Sequence, residues 1–304
     1  MVKVEDVVII GAGPAGVATA IQMKRYKIEA VLLERDSVGG LLRNANLVEN
    51  YLGFPKGISG TKLVKLLERH LEESGIHPKF DEVHNLDFKE DIFILRTNNG
   101  HYYSKRVVVA TGTKPKPLSS IYLSPVSRNR IFSEVYPLSK LRDKRIVIVG
   151  SGDAAFDYAL GLARNNYVII LNHSNVVKCL PLLWEHASID QTIKYFPQAT
   201  IKSVTTEELS GPICIEVILD QKITSIESDY LLIAVGRDPN LDFLSEQAKA
   251  KEEMLRKRGL LYFVGDVKNN LFRQAAIAAG EGIRAAMQIN ADIQTDQSIQ
   301  EEHR

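Results

Sequence analysis

Short, continuously apolar runs alternate with amphipathic stretches along most of the chain. Val7 to Ile10 is followed by a helix-compatible stretch from Pro14 to Lys24 and by a second apolar run from Ala30 to Leu33. The same strand–helix–strand order returns between residues 146 and 171. Runs that are apolar at every position are typical of parallel strands buried on both faces. The pattern therefore predicts an α/β protein with two similar halves.

The segment after the first half carries two further patterns. Residues 60–74 place Leu63, Leu66, Leu67 and Leu71 at the spacing of one helix face. Asp91 to Thr97 and His101 to Ser104 alternate like two strands of a β-meander, joined at Asn98-Asn99-Gly100. We expect a small antiparallel sheet packed on the first half.

Three more apolar strands end in small residues, and their order predicts nested domains. Val107 begins a strand that ends at Ala110-Thr111-Gly112, a similar strand from Leu231 ends at Gly236, and a third from Leu261 ends at Gly265-Asp266. Lys114 to Pro117 and Arg237 to Asn240 read as linkers. The predicted domains are residues 1–117 and 239–304, forming one domain, with residues 118–238 inserted as another.

The first strand–turn–helix carries the glycine pattern Gly11-Ala-Gly13-Pro14-Ala15-Gly16, and Glu34 ends the second strand. Such a turn brings backbone N–H groups and a helix N-terminus against a pyrophosphate, while the acidic residue accepts hydrogen bonds from a ribose. Glycine turns also join strands to helices for purely steric reasons. The full strand–helix–strand context favours dinucleotide binding.

The second strand–turn–helix carries Gly150-Ser151-Gly152-Asp153-Ala154-Ala155. Its next strand ends in Asn172-His173-Ser174, with no acidic residue at the ribose position. One interpretation is that this segment is a degenerate nucleotide-binding half, which contributes to packing and binds no ligand. Gly150, Gly152 and Ala155 keep the small residues that the close approach of a pyrophosphate to the backbone requires. They favour a second dinucleotide site.

Composition excludes several classes of function. The formal net charge is +1 and 25% of residues are charged, so no basic field favours nucleic acid. Two cysteines in 304 residues fit a reducing compartment, and the histidines show no metal-ligand spacing. The apolar stretch from Val7 to Ile21 is broken by three glycines and Pro14, which argues against a signal peptide. We expect a cytoplasmic protein without metal, nucleic-acid or membrane binding.

In this order and spacing, the motifs resemble the two-dinucleotide-binding flavoproteins, most closely the low-molecular-weight thioredoxin reductases. Val48-Glu-Asn50-Tyr-Leu-Gly-Phe-Pro and Arg273-Gln274-Ala275, followed by Ala278-Ala-Gly-Glu-Gly, are similar to characteristic segments of that group. The resemblance implies two Rossmann-like domains of the three-layer ββα type, with the NAD(P) domain inserted into the FAD domain. It also implies a homodimer formed through the FAD domains.

The resemblance implies the cofactor-binding residues as well. For FAD they are Gly11, Gly13, Pro14, Ala15, Gly16, Glu34, Arg35, Gly40, Leu41, Asn50, Val83, Ala110, Thr111, Gly112, Gly265, Asp266, Arg273, Gln274 and Ala275. For NADPH or NADH they are Gly150, Ser151, Gly152, Asp153, Ala154, Ala155, His173, Lys178 and Gly236. His173 and Lys178 stand where the group has arginines that bind the 2′-phosphate of NADPH. They favour NADPH over NADH only slightly.

One departure from the group bears directly on function. Its redox-active C-x-x-C pair would fall at Ser133 and Tyr136, and the chain contains only Cys179 and Cys214, thirty-five residues apart. Serine and tyrosine cannot exchange with a disulfide. The sequence therefore excludes the usual dithiol relay.

The same segment is loosely similar to the thioredoxin-reductase-like ferredoxin–NADP reductases, through Val135, Leu141, Lys144 and Arg145. Those proteins carry an extra C-terminal segment over the flavin, whereas in this chain only a polar tail from Ala291 to Arg304 follows the last predicted helix. The electron acceptor stays open between ferredoxin, flavodoxin, a quinone-like compound and free flavin.

These observations predict an FAD enzyme that oxidises NAD(P)H and passes electrons directly to an external acceptor. The alternatives are a flavin- or nucleotide-binding sensor with little turnover and, less favoured, a flavin monooxygenase. Tyr136 is interpreted either as a core aromatic in the seam between the two domains or as a residue that packs near the flavin ring and gates its face.

Overall fold

The computed structural model describes residues 3–117, 121–206 and 211–302, with the backbone alone over 297–302. The chain forms two compact units. The first unit contains Met1–Arg43, Val48–Lys114 and Asp238–Arg304, and the second contains Asn44–Leu47 and Pro115–Arg237. No sequence pattern indicated that Asn44–Leu47 belongs to the second unit. The domain boundary predicted at 117/118 adjoins residues 118–120, which lie outside the described residues.

The helices and strands follow one another along the chain in three stretches. The first comprises β1 Val4–Ile10, α1 Pro14–Arg25, β2 Ala30–Glu34, α2 Gly60–Glu73, β3 Lys79–Phe80, β4 Val83–Lys89, β5 Ile92–Thr97, β6 Gly100–Val109, β7 Thr113–Pro115, β8 Tyr122–Leu123 and β9 Ile131–Phe132. The second comprises β10 Arg145–Val149, α3 Asp153–Ala163, β11 Tyr167–Leu171, α4 Pro181–Ile189, β12 Ile193–Phe196, β13 Thr200–Thr205, β14 Ile213–Leu219, β15 Lys222–Ser228 and β16 Tyr230–Ile233. The third comprises β17 Arg237–Pro239, α5 Glu246–Ala250, α6 Glu252–Lys257, β18 Leu261–Phe263 and α7 Ala275–Glu302.

Strand β6 is central to the first unit, because it has parallel neighbours along one half and an antiparallel neighbour along the other. Its C-terminal half pairs in parallel with β1 and β18, and β1 continues the parallel sheet to β2 and β3. Its N-terminal half pairs antiparallel with β5, which pairs with β4. The prediction of separate strands at His101–Ser104 and from Val107 was therefore wrong. The chain runs on as one strand and exchanges neighbours near Ser104, whose hydroxyl donates to the Arg106 carbonyl.

Both faces of the parallel sheet in the first unit are buried, as its apolar runs predicted. Val7 and Ile9 pack with α1 and α7, whereas Val8 and Ile10 pack with Phe88 and other residues of the meander. Because side chains alternate along a strand, a strand covered on both sides must be apolar at every position. The predicted α/β class is confirmed.

The second unit repeats this arrangement with its own sheets. Strands β12, β11, β10, β16 and β9 form a parallel sheet. Strands β15, β14, β13 and β8 form a second, mixed sheet, in which only the β13–β8 pair is parallel. Ile146 and Ile148 pack with Phe156 of α3, while Val147 packs with the second sheet. The two connecting strands β7 and β17 pair with each other.

The C-terminal helix is longer than the sequence predicted. The polar tail expected from Ala291 was wrong for residues 291–302, because α7 continues to Glu302. Residues 288–302 contain neither glycine nor proline, and Ile289 and Ile293 keep that stretch packed on the first unit. In the part of the chain that the structure describes, no helix has the length and apolar character needed to cross a membrane.

Candidate functional site

In the first unit, the sequence-predicted residues lie where parallel strands end. The fingerprint loop follows β1, Glu34 ends β2, residues 110–112 follow β6, and Gly265-Asp266 follow β18. These four strands are neighbours in one parallel sheet, so their carboxyl ends share one edge. Ligands of open α/β sheets bind at that edge.

Steric contacts explain two glycines of the first fingerprint, and open space distinguishes a third. A Cβ at Gly11 would lie 2.5 Å from the Ala110 carbonyl oxygen, and one at Gly16 would lie 1.8 Å from the Gly11 carbonyl oxygen. A Cβ at Gly13 would meet nothing within 4 Å. No side chain caps the N-terminus of α1. The loop thus presents uncapped N–H groups beside empty space, which is the requirement for an anion such as a pyrophosphate.

Glu34 holds the fingerprint loop in addition to ending β2. One carboxylate oxygen accepts from the Ala12 N–H at 2.7 Å and the other accepts from the Asp36 N–H at 3.0 Å. The side chain is 8% exposed. Each carboxylate oxygen can accept a further hydrogen bond, which leaves acceptor capacity for a group such as a ribose hydroxyl. This role in holding the loop was not predicted.

A cleft of about 410 Å³ opens beside the same edge. Of the predicted residues it is lined by Gly11, Glu34, Arg35, Val83 and Thr111. Sequence reasoning missed the other polar residues that line it, namely Asp81, Glu82, His84, Lys114, Asn240 and Asp242. The Thr111 hydroxyl donates to the Asn240 carbonyl, and the Gly112 carbonyl accepts from the Asn240 N–H. The connection after β17 thus completes the wall of the cleft. This long-range contact could not be predicted from a local sequence motif.

Two segments predicted to lie at the flavin are joined by a hydrogen bond between side chains. The Asn50 amide donates to the Gln274 amide oxygen at 2.9 Å. Gln274 and Arg273 immediately precede α7, which begins at Ala275, and the Ala278 N–H donates to the Gln274 carbonyl. The N-terminus of α7 therefore lies beside this pair.

Gly40 and Leu41 open a 3₁₀ turn, Gly40–Asn44, that lies against the first fingerprint. A Cβ at Gly40 would lie 3.6 Å from the Gly13 Cα. Gly40 has a φ of +51°. The close approach brings this turn to the open side of the fingerprint loop.

Gly265 and Asp266 stand between the two helices that cover the sheet. A Cβ at Gly265 would lie 2.9 Å from the Ala15 Cβ, and the Gly265 N–H donates to Glu281 of α7 at 2.7 Å. Glu281 also accepts from Asn269 at 3.0 Å and pairs with Lys268 at 3.3 Å. Asp266 is partly buried in the following 3₁₀ turn. Glu281 fixes this turn and was missed as a site-forming residue.

The second fingerprint repeats the division of roles among glycines. A Cβ at Gly150 would lie 2.4 Å from the Ala234 carbonyl oxygen, while one at Gly152 would meet nothing within 4 Å. Ala155 is fully buried, and no side chain caps the N-terminus of α3. Gly236 follows β16, the neighbour of β10, and has a φ of +115°. The loop again combines uncapped N–H groups with open space.

The segment that follows β11 is attached to this loop at its far end. The Lys178 N–H donates to the Ser151 carbonyl at 2.8 Å, and the Leu180 N–H donates to the Asp153 carboxylate at 2.8 Å. His173 and Lys178 are exposed, as is Ala154. His173 and Lys178 therefore lie on one segment beside the fingerprint, with their side chains in solvent.

Tyr136 begins a 3₁₀ turn, Tyr136–Leu138, in the second unit. Its side chain is 44% exposed. Its N–H donates to the Asn44 amide oxygen at 3.0 Å, and its carbonyl accepts from Ser139. The short segment Asn44–Leu47 is thus hydrogen-bonded to Tyr136.

Neither cysteine forms a disulfide. Burial raises the pKa of the Cys179 thiol, and nearby Asp153 adds to the rise. The Cys214 thiol lies 2.9 Å from the Ser225 hydroxyl. Among the described residues, no group of three or more histidine, cysteine, aspartate or glutamate side chains is arranged to hold a metal ion.

Known proteins share both the sequence pattern and the architecture of this chain. The model of the pyridine nucleotide-disulphide oxidoreductase family matches residues 5–282. A thioredoxin reductase of Chlamydia trachomatis is 27% identical, over 92% of this chain and 96% of its own length. The crystal structure of T. acidophilum thioredoxin reductase is 26% identical, with a TM-score of 0.81 over 94% of this chain and 98% of that one. Lactococcus lactis thioredoxin reductase in its FR conformation, at 23% identity, shares the fold with a TM-score of 0.83 over 95% and 99% of the two chains.

Proposed function

Because this chain belongs to the pyridine nucleotide-disulphide oxidoreductase family, we propose that it oxidises NADPH or NADH on FAD and delivers the electrons to an external acceptor without a redox-active disulfide. Its likeness to thioredoxin reductases makes it an oxidoreductase of that type, whose cofactors are FAD and NADPH. The direct route to an external acceptor is the part that we propose for this chain in particular.

The observation that carries the proposal is the pair of fingerprint loops. Each ends a buried parallel strand, opens an uncapped helix and contains one glycine, Gly13 or Gly152, whose missing Cβ leaves open space. A chain that binds two dinucleotides at such loops is suited to transfer electrons between them. When bound, FAD accepts a hydride from the nicotinamide and supplies the redox chemistry.

The residues of the first unit suit FAD. The uncapped N-terminus of α1 would hold the pyrophosphate, Glu34 would accept from the ribose, and the cleft lined by Arg35, Val83 and Thr111 would receive the adenosine end. The start of α7 beside Gln274 would stabilise negative charge on the reduced ring, as helix N-termini do. Further residues that we propose to contact FAD are Gly40, Leu41, Asn50, Asp266, Arg273 and Ala275.

The second unit suits a nicotinamide coenzyme for the same reasons. Ser151, Gly152 and Asp153 would contact its pyrophosphate, with Gly236 across the loop. His173 and Lys178 would face its ribose. We expect NADPH to bind more tightly than NADH, since both side chains can donate hydrogen bonds to a 2′-phosphate.

A protein dithiol plays no part in this proposal. By the spacing of the sequence, Ser133 and Tyr136 stand at the cysteine positions of the related reductases. Burial raises the pKa of the Cys179 thiol, which disfavours the reactive thiolate. We propose that Tyr136 gates access to the flavin. Tyr136→Gly should then change the visible flavin spectrum or the rate of NAD(P)H oxidation, and identical behaviour would count against this role.

Anaerobic stopped-flow mixing with NADPH and with NADH tests the proposal. We expect at least one coenzyme to bleach the visible flavin absorbance. A panel of acceptors should follow, comprising ferredoxin, flavodoxin, a quinone and free flavin, with thioredoxin as the negative control. Failure of both coenzymes to reduce the flavin would refute the enzyme proposal, and turnover with thioredoxin would refute the direct route.

A second candidate is a flavin-binding sensor with little turnover. It is favoured by one observation, the exposed His173 and Lys178 in place of arginines that bind phosphate more strongly. A sensor would bind FAD and coenzyme with reduction too slow to sustain turnover. The same stopped-flow rates therefore distinguish the candidates.

We further propose a homodimer formed through the first unit. Three apolar side chains on helices α2 and α7 are exposed to solvent, namely Leu66 at 43%, Ile283 at 43% and Met287 at 51% of their surface. An apolar hollow of about 230 Å³ lies between α1, α2 and α7. Sedimentation should give a dimer for the native protein, and Ile283→Glu should shift it toward monomer. A native monomer at micromolar concentration would contradict this assembly.

A further inference from the structure

The side chain of Asn172 does not face the coenzyme site, although it directly follows β11 at the ribose position. It is completely buried. Its amide nitrogen donates to the Val176 carbonyl at 3.0 Å and to the Tyr195 hydroxyl at 2.9 Å. Its amide oxygen accepts from the Ser174 N–H at 3.1 Å and the Ser174 hydroxyl at 3.3 Å. All four hydrogen-bonding positions of the amide are used within the protein.

These bonds determine the shape of the segment from Asn172 to Lys178, which we call the ribose loop. The amide oxygen of Asn172 folds the loop back on itself at Ser174, and the amide nitrogen holds it again at Val176. At the far end, the Lys178 N–H is bonded to Ser151 in the fingerprint. A loop held at three points presents His173 and Lys178 in one defined arrangement.

Tyr195 supplies a rigid anchor for this arrangement. It lies on β12, and its ring packs against Trp184 at 5.1 Å and Phe156 at 5.9 Å between ring centroids. Those contacts fix the ring, so the hydroxyl that accepts from Asn172 has a fixed position. Because Asn172 is completely buried, removing that acceptor leaves one amide proton without a partner.

We propose that Asn172 and Tyr195 are positioning residues that select a coenzyme carrying a 2′-phosphate. Residues 172–178 contain no carboxylate to accept from a free 2′-hydroxyl, whereas His173 and Lys178 can bind a phosphate. Selectivity then depends on the shape of the ribose loop rather than on a direct contact from Asn172. This inference rests on the proposed function of the second unit.

The test compares two fragments that differ only in the 2′-phosphate, adenosine 2′,5′-bisphosphate and 5′-AMP. Their dissociation constants are measured by calorimetry on the FAD-loaded protein. Tyr195→Phe keeps the ring and removes only the hydroxyl, Asn172→Ala removes all four bonds, and Tyr167→Phe, at the exposed start of β11, is the control. Trp184 is the only tryptophan in the chain and contacts Tyr195, so its fluorescence gives an independent binding signal.

We expect Tyr195→Phe to weaken the bisphosphate about three- to tenfold and Asn172→Ala to weaken it more, with 5′-AMP changed by less than about twofold. In flavin reduction, KM for NADPH should rise while the rate at saturation stays the same. Equal weakening of both fragments would mean that the pair only maintains the fold, and no change in Tyr195→Phe would also overturn the proposal.

The outcome separates this inference from the proposed function. If neither coenzyme reduces the flavin of the native protein, the proposed function fails and the inference fails with it. If NADPH reduces the flavin normally and the variants keep native selectivity, only the positioning role is overturned.

Discussion

At the scale of single residues, Gly13 and Gly16 separate what folding requires from what cofactor binding requires. A Cβ at Gly16 would overlap the Gly11 carbonyl, whereas one at Gly13 would enter open space. Gly13 has a φ of −70°, which alanine adopts without strain. The two positions therefore respond differently to the same substitution.

We predict that Gly16→Ala destabilises the apoprotein by about 1–3 kcal/mol and abolishes FAD retention. Gly13→Ala should leave the unfolding free energy of the apoprotein within about 0.5 kcal/mol of native and still weaken FAD about tenfold or more. Denaturant unfolding and flavin titration measure the two effects. Gly152→Ala is the matched control, since it should affect coenzyme affinity and spare FAD. Native FAD affinity in Gly13→Ala would contradict the assignment of the pyrophosphate site.

Tyr158, on α3, makes the free energy of unfolding pH-dependent in the alkaline range. Burial raises the pKa of its hydroxyl to about 12, with Asp157 and Glu134 adding to the rise and Arg237 opposing it. The protonated form is favoured in the folded state. Its contribution is therefore complete below the unfolded pKa of about 10 and is lost as pH rises towards 12.

We predict that ionisation of Tyr158 costs the native protein about 2 kcal/mol of unfolding free energy between pH 10 and 12. Tyr158→Phe should not show this part of the loss, because phenylalanine has no proton to lose. Urea unfolding across that range gives the measurement. Tyr167→Phe, at an exposed position, should leave the pH dependence of the native protein unchanged. Parallel curves for native protein and Tyr158→Phe would contradict the raised pKa.

At the scale of elements, the crossing of α1 and α7 depends on Gly282. A Cβ there would lie 2.1 Å from the Ala15 carbonyl oxygen, and the Thr19 hydroxyl donates to both the Ala15 and the Gly282 carbonyls. Gly280, one half-turn earlier, has open space at its Cβ. One helix therefore carries a required glycine and a dispensable one.

We predict that Gly282→Ala destabilises the first unit by about 1–3 kcal/mol, because the helices must separate. Gly280→Ala should be neutral or stabilise by up to about 1 kcal/mol, since alanine favours the helix. Thermal unfolding of the two variants provides the comparison. Equal midpoints would show that the two helices adjust without loss.

The sequence predicted elements best where the pattern was strong. Strands β1 and β10 were evident because a sheet covered on both faces needs apolar residues at every position. The extension of α7 was missed because residues 291–302 are mostly polar, so the apolar spacing of a buried helix face is weak there. The inward roles of Glu34 and Asn172 could not be predicted, since the direction of a polar side chain depends on long-range partners such as Ala12 and Tyr195.

At the scale of the whole molecule, the cysteines offer a direct test of the electron route. Both are free and partly buried, and the raised pKa of Cys179 reflects burial rather than activation. We predict that the double variant Cys179→Ser, Cys214→Ser retains NAD(P)H oxidation with its external acceptor within about twofold of native. Steady-state turnover and thiol titration check this. A loss of about a hundredfold with FAD still bound would show that a thiol participates.

Domain organisation was only partly visible in the sequence. The linkers were predicted from prolines, whereas the membership of Asn44–Leu47 in the second unit depends on contacts such as Asn44 with Tyr136 and Asn46 with Asp157. Such contacts join residues about ninety or more positions apart, beyond the reach of any local pattern.

The placement of β18 beside β6 has a consequence for biosynthesis. The two strands are separated by the whole second unit, so a nascent chain emerging from the ribosome exposes one edge of β6 until Leu261 is made. Among the described residues, strands β8 to β16 of the second unit have all their sheet partners by Ile233. Translation therefore supplies all strands of these sheets of the second unit first, and the parallel sheet of the first unit is completed only near the end of synthesis.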